Sequence, residues 1–173
     1  GTLRIDAALY KEPILGSGGG TSEMRGVYND ADAFHSDLSQ IIIPPRGDAR
    51  LLETGVDGEF PQVAHRLHGQ PRRLTALVTG AVSGRPGASA VSIHDWESGA
   101  TKTFDLGPAR LVEEHLFVAK PGGTGEEDCW LIGTALNTET KATEIWIFDA
   151  AGVDDGPVAV FSADYAWPLG FHG

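Results

Sequence analysis

The chain has 173 residues, 41% hydrophobic and 21% charged, long enough for one domain that buries about 70% of its unfolded surface. Its 13 Lys and Arg against 24 Asp and Glu give a net charge of −11, which excludes a phosphate-binding nucleic-acid face and a polybasic membrane patch. No run approaches the ~18 apolar residues of a membrane-spanning helix. The start Gly1-Thr2-Leu3-Arg4 has no basic segment followed by an apolar one. The single cysteine, Cys129, forbids an internal disulfide and suits a reducing, cytoplasmic location. The missing initial Met and the apolar run into Phe171-His172-Gly173 read as a piece of a longer protein, with 1–173 forming a single partial domain.

In chain order, residues 16–20 (Gly-Ser-Gly-Gly-Gly) have the composition of a flexible loop. Residues 21–38 are the one helical candidate. Met24, Val27, Ala31, Phe34 and Leu38 recur at steps of three and four, Thr21 or Ser22 can cap the start, and Gly26 works against it. From there the pattern changes to short strands between turns. Leu74 to Thr79 is a strand, and 90–96 alternates with period two. After the turn at Glu97-Ser98-Gly99-Ala100, residues 101–106 complete a hairpin. A meander follows, with strands at 115–119, 129–136, 143–149 and 157–161 separated by polar or glycine-rich turns. Four antiparallel strands in this length make one propeller blade. Residues 109–163 fit one blade and 71–107 most of another, so the expected class is all-β, part of a propeller, with one short helix near the N-terminal end.

Four stretches, taken together and in order, resemble the carotenoid cleavage oxygenases, the family of the retinal isomerohydrolase and the lignostilbene-cleaving enzymes. They are Gly58-Glu59-Phe60-Pro61-Gln62 followed by Gly69-Gln70-Pro71, and Glu113 to Pro121. The third is Glu126 to Leu131 with Phe148-Asp149-Ala150 and Gly156 to Ala159, and the last is Pro168 to Gly173. Leu3-Arg4-Ile5-Asp6 adds a thinner likeness, to the strand after the family's third iron ligand. The resemblance implies the C-terminal blades of a seven-bladed propeller with one Fe(II) on its axis, held by four histidines. His172 matches the fourth ligand, and the other three are expected before Gly1, so the piece alone is expected to be inactive. It further implies that Glu59 and Glu114 accept the outer N–H of iron-bound histidines, Glu114 serving His172 and Glu59 the third ligand. A carboxylate there fixes the tautomer and the ring orientation of a neutral imidazole. Glu113 competes with Glu114, because neighbours on a strand point to opposite faces. The implied reaction is O2-dependent cleavage of a conjugated double bond in a carotenoid, apocarotenoid or stilbene. Phe171 and Leu169 are candidates for the apolar substrate lining, and the full-length protein is a candidate for peripheral membrane contact. The alternative is a non-catalytic propeller that serves as a binding scaffold.

Other chemically capable residues read as structural. His65 and His68 lie three apart, but no third ligand is near in sequence and Arg66, Arg72 and Arg73 surround them, so a surface loop is expected. His35 and His94 are expected at the surface. His115 is expected to be structural, Cys129 a buried thiol, and Trp130, Trp146 and Phe148 core aromatics. Glu126-Glu127-Asp128 lacks calcium-loop spacing and reads as a solvated turn.

Overall fold

The computed structural model of the chain describes residues 1–11, 35–81 and 87–169. Among these, the strands in order are β1 (Leu3–Tyr10), β2 (Ser36–Ile43), β3 (Arg50–Asp57), β4 (Glu59–Gln62), β5 (Leu74–Ala81) and β6 (Ala88–Asp95). They continue with β7 (Thr101–Asp105), β8 (Arg110–Ala119), β9 (Cys129–Asn137), β10 (Ala142–Asp149) and β11 (Pro157–Ser162). All pairings are antiparallel, and consecutive strands pair as β1-β2-β3, β4-β5-β6-β7 and β8-β9-β10-β11. The last two groups touch edgewise through one bridge, Ala88 opposite Val112. This is blade architecture: each meander closes locally, and the first strand of a blade lies toward the propeller axis. β4, β8 and β1 hold that first position.

Turn chemistry sets the hairpins. The Asp95 carboxylate accepts from the N–H of Glu97 at 2.9 Å, and Gly99 takes the left-handed φ of 74° that closes β6 onto β7. Asn137 Oδ1 does the same between β9 and β10, accepting from the N–H groups of Glu139 and Thr140. The core lies where the last two blades meet, built on Val91, Leu131, Phe148 and Val153, with Phe104 and Trp146 in ring contact with Phe148.

The three-stranded group is tied to the next blade by charge. The side chain of Asp6 of β1 is buried and accepts from Arg72 Nη1 at 2.6 Å, Thr75 Oγ1 at 2.5 Å and Trp96 Nε1 at 3.2 Å, while Gln40 of β2 donates to its other oxygen at 3.0 Å. Burial alone would raise the Asp6 pKa, but the Arg72, Thr75 and Gln40 donors hold it below the ordinary value.

Both blade assignments hold, with β4 completing the second blade and β8 starting at Arg110 rather than His115. The helix expected over 21–38 does not extend to its stated end, because Ser36 opens β2. Leu38, Gln40 and Ile42 are buried on a strand paired on both sides, and ladder bonding with the β-branched run Ile41-Ile42-Ile43 overrides the three-and-four spacing. Residues 21–34 of that expectation, and the loop at 16–20, lie outside the described residues. His94 is also not at the surface. It is buried, bonds Thr101 Oγ1 through Nδ1 at 2.9 Å and meets the edge of Trp96, and desolvation lowers its pKa. Ala88 to His94 are all buried on β6, which pairs with β5 and β7, so both faces of the strand are covered. The acidic loop is an ordered clasp rather than a solvated turn. Glu126 accepts from the N–H groups of Arg73 and Leu74, Glu127 pairs with Arg73, and Asp128 accepts from Thr124 and Gly125. Cys129, Trp146 and Phe148 are buried as expected, and Trp130 is half-buried beneath the Lys120 ammonium at 4.6 Å.

Candidate functional site

The two glutamates singled out from sequence sit on inner strands, each beside an irregularity that aims it. On β4, Glu59 pairs with Val78 and Gln62 with Ala76, so three steps along β4 match two along β5. The extra residue is a β-bulge, and it brings Glu59 and Gln62 opposite two residues that share a face. Phe60 takes a left-handed φ of 52° inside it, and Pro61 has no N–H to leave unpaired. Gly58 precedes it because a Cβ there would lie 2.3 Å from Leu77 Cδ1.

β8 repeats the device. Val112 pairs with Ala135 and His115 with Gly133, so Glu113 and Glu114 together face the single step at Thr134. Strict alternation is broken at the two competing glutamates, and their partners separate them. Glu113 accepts from Thr134 Oγ1 at 2.5 Å, within its own blade. Glu114 is buried and accepts from Gln62 Nε2 on β4, across to the neighbouring blade.

Glu59 is in the opposite electrostatic condition. Its Oε1 is shielded from solvent and has no hydrogen-bond partner among the described residues. Desolvation pushes its pKa up to about 7 against an ordinary 4.5, with only the Phe60 N–H opposing. A buried carboxylate oxygen without a donor is costly unless something supplies one. An imidazole N–H is a donor of that kind.

His115 is buried with the Nδ1 proton donated to the Glu113 carbonyl at 2.8 Å and with Nε2 unpartnered. Desolvation lowers its pKa to about 4, so the ring is neutral. That tautomer suits a metal ligand. The ring, however, is packed over Gly133 and 6.0 Å from Phe148, inside the core. It matches the structural role expected of it. His65 and His68 are exposed on a single 3-10 turn with rings 4.9 Å apart, and His35 is exposed against Asp57 at 2.5 Å. Leu169 is half exposed, while His172 and Phe171 lie outside the described residues.

Among the described residues no three His, Cys, Asp or Glu side chains gather as a metal-binding group. What the inner strands offer is two carboxylates, Glu59 with one oxygen shielded and Glu114 bonded to Gln62. Gln62 was not singled out from sequence, and its only signal there was membership in the Glu59-to-Gln62 stretch.

The chain matches the family described as retinal pigment epithelial membrane protein (RPE65) over residues 3–173. It is 28% identical over 116 residues to the apocarotenoid-15,15'-oxygenase of Synechocystis, covering 66% of this chain and 24% of that protein. It is 26% identical over 137 residues to lignostilbene-alpha,beta-dioxygenase isozyme III of Sphingomonas paucimobilis, covering 73% of this chain and 28% of that one. The chain thus spans about a quarter of the length of these relatives. Its fold is that of the cobalt-substituted Synechocystis apocarotenoid oxygenase, with a TM-score of 0.83 at 23% identity over 99% of this chain and 36% of that structure.

Proposed function

Because this chain belongs to the retinal pigment epithelial membrane protein family of carotenoid and stilbene cleavage oxygenases, we propose that its full-length protein is a non-haem Fe(II) dioxygenase. It would cleave a conjugated carbon–carbon double bond of a carotenoid, apocarotenoid or stilbene with O2, giving two carbonyl products. The observation that carries this reading is Glu59, a carboxylate on an inner strand with one oxygen buried and unpartnered. A buried oxygen of this kind fits the ring N–H of a metal-bound histidine.

In this reading His172 is the iron ligand within this chain, Glu114 orients it, and Glu59 orients a histidine contributed by the rest of the protein. When bound, the iron would supply the open coordination and the electrons that O2 chemistry requires. The chain's own residues do the holding. Each carboxylate accepts an imidazole N–H, keeps the opposite nitrogen deprotonated toward the metal, and raises its donor strength. Phe171, adjacent to His172 in sequence, and Leu169, three residues before it, would offer apolar surface to a polyene that needs no metal bond of its own.

The test is His172→Ala in the full-length protein, with iron content and cleavage of a carotenoid and a stilbene as readouts. Loss of iron retention and of both cleavages is expected. Normal turnover in the variant would remove His172 from the site. A parent protein that purifies without metal and consumes no O2 would favour the binding scaffold instead.

A further inference from the structure

We propose that the outward face of the last blade, the side of β8–β11 turned away from β4–β7, is an interface that packs against a further β-sheet contributed by the remainder of the full-length protein. The inference uses the blade architecture and not the iron chemistry proposed above.

The strand registers define the face. Leu116 pairs with Ile132 and Val118 with Trp130, Ile132 pairs with Ile147, and Ile145 pairs with Phe161. Paired residues share a face, and so do next-but-one neighbours along a strand. Leu116, Trp130, Ile132, Ile145, Ile147 and Phe161 therefore form one apolar surface that crosses all four strands. Their neighbours Leu131, Trp146 and Phe148 point the other way and are buried in the core shared with β5 and β6.

An antiparallel sheet with one face in water alternates apolar residues inward with polar residues outward. β10 does not. It reads Ile145-Trp146-Ile147-Phe148, apolar on both faces, yet Trp146 and Phe148 are buried while Ile145 and Ile147 are only half-buried. The middle blade shows the same kind of sequence with both faces covered. There β6, lying between the other two groups, is buried at every position from Ala88 to His94. The first group mirrors the last. Asp6 turns toward the middle blade, and Leu3 and Ile5, alternating away from it, are 53% and 42% exposed. The two end groups thus each leave an apolar face open on the side away from the middle blade, where a propeller continues.

Shape and chain length point to the occupant. A twisted apolar face four strands wide is matched by another sheet stacked about 10 Å away. The inner face of this same blade is already matched in that way by the middle one. The chain spans 24% and 28% of two relatives and 36% of a structure of the same fold, so most of such a protein lies outside it and can supply the sheet.

The experiment is hydroxyl-radical footprinting of the unmodified full-length protein, native and urea-unfolded, from dilute to concentrated solution, with oxidation read by mass spectrometry at Trp130 and Phe161. Phe161 is 58% exposed without a partner sheet, so covering it to a core value should slow its oxidation about tenfold relative to the unfolded chain, at every concentration. Trp130 should be protected alongside it. Oxidation of Phe161 within about twofold of the unfolded rate would mean that the face is open, and would overturn the proposal. Protection that appears only in concentrated solution would assign the face to a second copy, and protection only with phosphatidylcholine vesicles would assign it to a membrane. Either result also overturns it. Ile147→Lys is the complementary variant. A solvent-facing strand position tolerates it, whereas a covered one must bury an unpaired ammonium, so the urea midpoint of the full-length protein should fall. An unchanged midpoint counts against the interface, and if the variant does not fold, the footprint of the unmodified protein decides. Iron content is measured on the same sample. A protected face in a protein that holds no metal keeps this inference and removes the oxygenase reading, and an open face in an iron-bound protein does the reverse.

Discussion

Glu59, half-buried with one oxygen shielded, and His115, fully buried, have opposite displacements, and they pull stability in opposite directions with pH. Glu59 has a folded pKa of about 7, above its ordinary 4.5, so the native state keeps a proton that the unfolded chain releases. Its contribution therefore falls as pH rises from 4.5 toward 7. His115 has a folded pKa of about 4, below its ordinary 6.5, so the native state refuses a proton that the unfolded chain accepts. Its contribution is full above 6.5 and is lost as pH falls toward 4, an effect on the order of 3 kcal/mol. Urea unfolding between pH 4 and 8 checks both. Glu59→Gln should flatten the decline on the approach to neutrality, and His115→Met should reduce the acid-side loss. A parent profile that neither variant changes would mean that both groups have found partners. A histidine N–H donated to Glu59 Oε1 would lower its pKa and erase the first effect.

At the scale of the element, two bulges decide where the inner-strand carboxylates point. β8 could not carry its extra residue beside β9 without Gly133. A Cβ at that position would stand 2.3 Å from His115 Nδ1 and 2.4 Å from its Cγ. Gly133→Ala must push the ring aside, and His115 is the residue after Glu114. The expected loss is about 1–3 kcal/mol of stability, together with, on the oxygenase reading proposed above, weaker metal binding in the full-length protein as Glu114 is displaced. Urea unfolding and metal titration measure the two, and stability should recover in part when His115→Ala is added to relieve the overlap. Full stability in Gly133→Ala would show that the strand has room the static structure does not display. The same element carries a lesson about sequence. Alternation along a regular strand makes Glu113 and Glu114 mutually exclusive, and the bulge instead gives each its own partner, Thr134 for one and Gln62 for the other.

For the molecule as a whole, the blades are held in relation to one another by polar ties as well as by core packing. Asp6 connects β1 to Arg72, Thr75 and Trp96 of the next blade. Removing it leaves the Arg72 guanidinium largely buried without its charge partner, a change that costs about 3–5 kcal/mol. Asp6→Ala is therefore expected to lower the unfolding free energy in urea by that amount, and Arg72→Met added to it should restore part of the loss. A change below about 0.5 kcal/mol would place the pair with weak surface ion pairs. Gln62 to Glu114 and the Glu126 and Glu127 clasp on Arg73 and Leu74 are further ties of this kind.

Composition and period-two patterning determined the all-β class and the strands from Leu74 onward, because alternation, β-branched residues and Gly or Asn turns are local signals. They did not reveal β2 to β4. Ser36 to Ile43 continues a helix-like spacing, and β4 is only four residues long and contains a proline. Motif order identified Glu59 and Glu114 through likeness to a family, with no local physical signal of its own. Only the tertiary structure decided that one Glu59 oxygen is shielded without a donor, that Glu114 rather than Glu113 reaches the neighbouring blade, that His94 is interior, and that Gln62 belongs with them. For His94 the reason is the covering of both faces of β6, and for the others it is which inner strands converge, because a bulge changes a side chain's direction without changing the residue types around it.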